Sequence, residues 1–114
     1  MDREQEKNAI YQALVDLATA RKNPDLYFSE KRILNYFVGK LSEEGIVDVF
    51  RGKGYDTNSR EEVDVTGRIP KISTFRDNLE ALVKERRIEI VLAETTENAP
   101  NYRLYRAKKK GGQR

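Results

Sequence analysis

The chain contains no cysteine and no histidine. The first absence removes disulfides, thiolate metal sites and thiol nucleophiles. The second removes imidazole bases, and the two together exclude zinc-finger spacings and Ser-His-Asp triads. No stretch approaches the roughly 18 consecutive apolar residues that a membrane span needs, so no membrane partner is expected. The start, Met1-Asp2-Arg3-Glu4-Gln5-Glu6-Lys7, has no apolar run behind a basic patch and predicts no signal peptide. A soluble, cytoplasmic protein is the expectation. With no catalytic constellation and no cofactor motif, it reads as a binding module and not an enzyme.

What is present is charge. Of 114 residues, 36% are charged and 38% apolar, enough for one modest core under a heavily charged surface. A single domain is expected, and a chain this short often gains stability as a homodimer. The net charge of +3 is unevenly placed. Six of the 22 basic residues fall between Arg103 and Arg114 with no acid among them, leaving 16 basic against 19 acidic residues elsewhere, a net of −3. The basic character belongs to the C-terminus, which becomes the expected electrostatic contact.

Periodicity predicts three helices. Ile10, Ala13, Leu14, Leu17 and Ala18 form one apolar stripe over 2–21, ended by Asn23-Pro24-Asp25. After a short apolar Leu26-Tyr27-Phe28, Ser29 is a good N-cap for a helix over 29–42 with Ile33, Leu34, Phe37, Val38 and Leu41 inward. Ser73 or Thr74 is expected to cap a third helix over 73–87, Thr74 and Asp77 having capping-box spacing. Its predicted inward stripe is Ile72, Phe75, Leu79, Leu82 and Val83. The period then changes from 3.6 to 2: Ile88, Ile90 and Leu92 alternate, and Tyr102 and Leu104 alternate again after Glu94–Asn101. This predicts a hairpin over 88–106 with a long polar tip.

Between the second and third helices the pattern is open. Residues 42–72 fit two strands, near Ile46–Phe50 and Val63–Val65, joined by a flexible loop, with a partly disordered insertion as the alternative. Residues 108–114 are expected to be a disordered basic tail.

Ser73-Thr74-Phe75-Arg76-Asp77-Asn78-Leu79 on a capped amphipathic helix, leading through Glu85-Arg86-Arg87 into a hairpin, resembles the winged helix-turn-helix superfamily. The specific likeness covers Lys71 to Arg106. It implies an α+β, winged-helix-like fold over 1–107, with three helices and a C-terminal β-hairpin. The departure is an insertion between helices 2 and 3, where that superfamily turns tightly.

The resemblance implies double-stranded DNA binding by a small transcription-regulator-like protein, with the third helix in a major groove. Arg76 would then read guanine and Asn78 adenine, Ser73 and Thr74 would take phosphates, and Lys84 would lie on the same solvent face. Arg103 and Arg106 on the returning strand, with Lys108, Lys109 and Lys110 of the tail, would hold phosphates. Asp77 and Glu80 on that face oppose a polyanion, and they favour the alternative of a protein–protein adaptor within a larger assembly. Arg51-Gly52-Lys53-Gly54 lacks the phosphate-loop spacing and reads better as a mobile basic loop. Asp48, Glu62 and Asp64 faintly resemble the acids of restriction-type nucleases, but Thr66 stands where that family has a lysine. One of Tyr102 and Tyr105, on opposite faces of their strand, is expected to be exposed.

Overall fold

Asp2 and Gln5 open the first element. In the computed structural model, which describes residues 2–93 and 102–108, the Asp2 side chain accepts from the Gln5 N–H at 2.8 Å. The Gln5 side chain accepts from the Asp2 N–H at 3.0 Å. This reciprocal capping box starts α1, Arg3–Ala20. Ile10, Ala13, Leu14 and Leu17 are buried, at the spacing that puts them on one face. The helix closes with the N–H groups of Lys22 and Asn23 bonded to Thr19 and Ala18, Lys22 taking a φ of 55°. That is a Schellman ending with lysine where glycine is common.

Phe28–Ser29 forms the short β1, and Ser29 caps α2, Glu30–Glu43, by accepting from the Arg32 N–H at 3.1 Å. The expected Ser29 cap of α2 therefore forms, and both helices keep their expected bounds to within a residue. Val38, expected inward, stands 40% exposed.

Residues 46–64 are the main departure from expectation. They form three strands, β2 (Ile46–Phe50), β3 (Lys53–Asp56) and β4 (Glu61–Asp64), in an antiparallel sheet ordered β2–β3–β4. The segment expected to be a loop is its central strand. Two local features explain this. Arg51 and Gly52 have φ of 51° and 80°, and Phe50 pairs with Lys53. That is a two-residue turn of the positive-φ kind that matches strand twist. Gly54 is buried in the middle of β3, where an added Cβ would stand 2.5 Å from Ile46 Cγ2. A glycine that reads as a loop signal is here a close-packing residue.

The chain then enters α3, Ile72–Lys84, through Ile69 and the buried Pro70. Arg86 and Arg87 close α3 on Val83 and Leu82 as Lys22 and Asn23 close α1, with Arg86 at φ 59°. β5 (Ile88–Ala93) and β6 (Tyr102–Ala107) pair antiparallel from Ile88↔Ala107 to Ala93↔Tyr102. The predicted tip, Glu94–Asn101, lies outside the described residues, as do Lys109–Arg114. β1 pairs with β6, so the second sheet has the order β1–β6–β5.

Among the described residues the architecture is α+β: three helices and two small antiparallel sheets. Ile10, Leu14, Ile33, Phe75, Leu79, Leu82, Ile88 and Tyr105 belong to the main core, and Leu41, Ile46 and Val65 to a smaller one under the β2–β3–β4 sheet. Ile69 packs against both. No described helix is long and apolar enough to cross a membrane.

Candidate nucleic-acid interface

α3 begins without a cap of its own. It starts at Ile72, with Lys71 in the N-cap position making no side-chain cap bond, so the expected capping by Ser73 or Thr74 is not what forms. Both residues lie inside the first turn. The missing acceptor comes from α1. Glu6 takes the Lys71 N–H at 3.1 Å on Oε1, and the Thr74 hydroxyl at 3.2 Å and the Asn78 amide at 2.6 Å on Oε2. The carboxylate, 2% exposed, thereby satisfies a backbone donor that a helix start leaves orphaned, with its charge at the end the helix dipole favours.

This bond relocates Asn78, which is 1% exposed. It cannot present its amide to an adenine without leaving the core. The spacing carried the signal: Phe75, Asn78, Leu79 and Leu82 fall at i, i+3, i+4 and i+7, so the inward stripe includes 78. Glu6 likewise falls four residues before Ile10 on the buried stripe of α1. Polarity argued both residues outward, and each is buried because the other satisfies it. Ile72 is corrected the opposite way. Predicted inward, it is 79% exposed, at the helix's first turn where the core no longer reaches.

The outward side of α3 carries Ile72, Ser73, Arg76, Asp77, Glu80 and Lys84, all exposed. Ile72, Arg76, Glu80 and Lys84 form one ridge, four residues apart. Arg76 reaches back to the first turn of α2: its Nε and Nη2 donate to the two oxygens of Glu30 at 3.1 and 2.9 Å. The Glu30 hydrogen bonds and charge push the guanidinium pKa further up, so Arg76 is always a cation. Lys84 pairs with no carboxylate among the described residues.

The strand cations are also engaged. Arg103 lies 3.7 Å from Glu80 of α3. Arg106 sits over the Tyr27 ring at 4.5 Å, donates to Glu89 at 2.9 Å and approaches Asp25 at 3.7 Å. Three partners make Arg106 a bridge between β6, β5 and the segment before β1. The backbone of Lys108 is anchored, its N–H donating to Arg87 O at 3.0 Å and its carbonyl accepting from the Tyr11 hydroxyl at 2.8 Å, while the residue is exposed. Lys109 and Lys110 lie outside the described residues. The structure thus brings Ser73, Arg76 and Lys84 onto one accessible face with Arg103 at its edge, turns Thr74 toward Glu6, and withdraws Asn78 and Arg106.

Elsewhere, Asp48, Glu62 and Asp64 do not converge, and no three acids among the described residues are placed to hold a metal ion. Asp64 accepts from the Thr66 N–H and hydroxyl at 2.9 and 2.7 Å, which hold its carboxyl below the usual range. Glu62 pairs with Lys53 at 3.2 Å. Arg51–Gly52 is a tight turn, with Lys53 and Gly54 in β3, so the expected mobile loop is replaced by a hairpin. Tyr105 is fully buried.

Comparison with family models, with curated proteins and with solved structures gives no significant match. The geometry of the chain itself carries the functional reading.

Proposed function

We propose that this chain is a winged-helix module that binds double-stranded DNA through α3, in the manner of a small transcription regulator. One observation carries the reading. The strand order β1–β6–β5, with α3 running directly into β5, leaves the ridge Ile72–Arg76–Glu80–Lys84 open to solvent. A helix docked on the core by one face and free on the other is the form that enters a major groove. The β2–β3–β4 sheet is then an insertion between the second and third helices of that fold.

In this reading Arg76 supplies the base-directed guanidinium. Ser73, Lys84 and Arg103 supply backbone contacts, and the cationic C-terminal sequence adds salt-sensitive affinity without selectivity. Glu30 and Glu80 hold Arg76 and Arg103 in place before DNA arrives, at the cost of like-sign repulsion with phosphates.

The test is fluorescence anisotropy on duplex DNA between about 50 and 200 mM salt. The full chain is compared with Arg76→Ala combined with Lys84→Ala, and with a chain ending at Lys108, which keeps the backbone bonds of that residue to Arg87 and Tyr11. Retained binding by the shortened chain, weakened by the double substitution, supports the proposal. Binding that disappears with the tail alone reduces the DNA affinity to electrostatics and removes α3 from it.

A protein–protein adaptor is the second reading. Ile90 and Leu92 on one face of β5 are 40% and 62% exposed, and Val91 on the other is 40% exposed, apolar surface that a protein partner would cover. Binding to no duplex at any salt favours this reading.

A further inference from the structure

The insertion carries an aromatic side chain that the fold does not use. Phe50, at the end of β2, is 70% exposed and belongs to neither core. The guanidinium of Arg51 lies over its ring, 5.1 Å from the centroid. The pair sits on the β2–β3 turn, which is held fast. Gly52 O accepts from the Val65 N–H at 2.7 Å, and Val65 is itself 1% exposed in the smaller core. Gly52 approaches Thr66 so closely that a Cβ there would stand 2.4 Å from Thr66 Cγ2. Beyond that contact with Arg51, a phenyl ring left in water on a braced tip adds nothing to either core.

The position of the tip connects it to α3. Thr66, which it touches, precedes Ile72 by six residues, and six residues span at most about 21 Å. The intervening chain is not loose, since Pro70 is buried and Ile69 packs against both cores. The tip therefore stands within one helical turn of duplex, about 34 Å, of the start of α3. The tip itself is basic, within a sheet whose residues 46–64 carry five acids against three bases. Arg51 pairs with no carboxylate among the described residues, and the neighbouring Lys53 meets Glu62 at 3.2 Å and stands opposite Asp64 in the β3–β4 register, exposed contacts worth little in water.

We infer that the β2–β3 turn is a second DNA contact, with Phe50 wedged against a base step and Arg51 on an adjacent phosphate, beside the groove taken by α3. The inference rests on the DNA-binding reading. An apolar wedge partly unstacks the step it enters, and a cation beside it contributes one phosphate contact to the salt dependence.

These two roles leave different signatures in the full-length chain. Phe50→Ala removes no charge, so duplex affinity falls at least about fivefold, the low end of aromatic–base stacking, with the salt slope unchanged. Arg51→Asn keeps the fold, because Asn-Gly is the pair best suited to a turn with two positive φ values. Its effect is a salt slope shallower by about 0.9, one phosphate fewer. Circular dichroism melts of both variants should match the parent. Anisotropy on labelled mixed-sequence duplex, with Arg76→Ala alongside, separates the outcomes. If Phe50→Ala and Arg51→Asn bind like the parent while Arg76→Ala weakens binding, the inference is overturned and the α3 reading stands. If the parent itself binds no duplex at low salt, both fall together.

Discussion

Glu6 Oε2 accepts from Asn78 Nδ2 at 2.6 Å across the α1–α3 contact, and both residues are buried. One carboxylate thus fixes where α3 begins, which way it is rotated and which residues it shows to solvent. Lys7, the next residue, reaches the other end of α3 by donating to Glu85. α1 therefore grips α3 near both termini.

Removing that carboxylate should be costly. Glu6→Ala strands the Lys71 N–H and the Asn78 amide, and an unsatisfied buried polar group costs about 1–3 kcal/mol. A urea denaturation should show a loss of that size, with Glu6→Gln losing less because one acceptor oxygen remains. A midpoint unmoved by Glu6→Ala would mean that water replaces the carboxylate.

Gly54→Ala tests the insertion. The new methyl would meet Ile46 Cγ2 at 2.5 Å and Val49 Cγ2 at 3.4 Å. Both belong to β-branched side chains that cannot swing aside easily. Overpacking of this kind costs about 1–3 kcal/mol, read as a lower thermal midpoint. The same substitution at exposed Gly39, where nothing lies within 4 Å of the added atom, should not destabilise, since alanine is the better helix former.

Alkaline stability should report on Tyr36. Burial, then the hydrogen bond its hydroxyl donates to Asp16 and the charges of Asp16 and Glu43, push its pKa up to about 12. The unfolded value is about 10. The folded state therefore holds this proton more tightly, and the stabilisation is complete below about pH 10. It is lost as pH rises through about 12. Burial pushes Tyr105 up as well, so phenolate absorbance should show two late-titrating tyrosines, of which Tyr36→Phe removes one along with its part of the alkaline loss.

On the DNA-binding reading, Glu30→Gln should strengthen duplex binding. It removes a carboxylate from beside α3 and releases part of the Arg76 charge to phosphate. The gain should be about two- to fivefold near 50 mM salt, the worth of one exposed ion pair. Weaker binding would instead show that Glu30 is needed to aim Arg76.

The sequence by itself determined the three helices, the pairing strands near the C-terminus and the lopsided charge. Each is written in neighbouring residues: a 3.6 period, a period of 2, a cap or a charge run. Part of the candidate site was legible in the same way, since three of its five α3 residues, Ser73, Arg76 and Lys84, do lie on the open side of α3. Tertiary structure alone decided the rest, because the deciding partners are far away in sequence. Asn78 turns inward for a carboxylate 72 residues earlier, and Arg76 is held by one 46 residues earlier. Arg106 is taken up by Tyr27, Asp25 and Glu89. Lys53–Asp56, with a glycine on either side of Lys53, looks like a loop until Ile46 and Val65 arrive to pack against Gly54. Local pattern fixes the face a residue occupies. Whether that face meets solvent, a core or a charge is settled only when the elements pack.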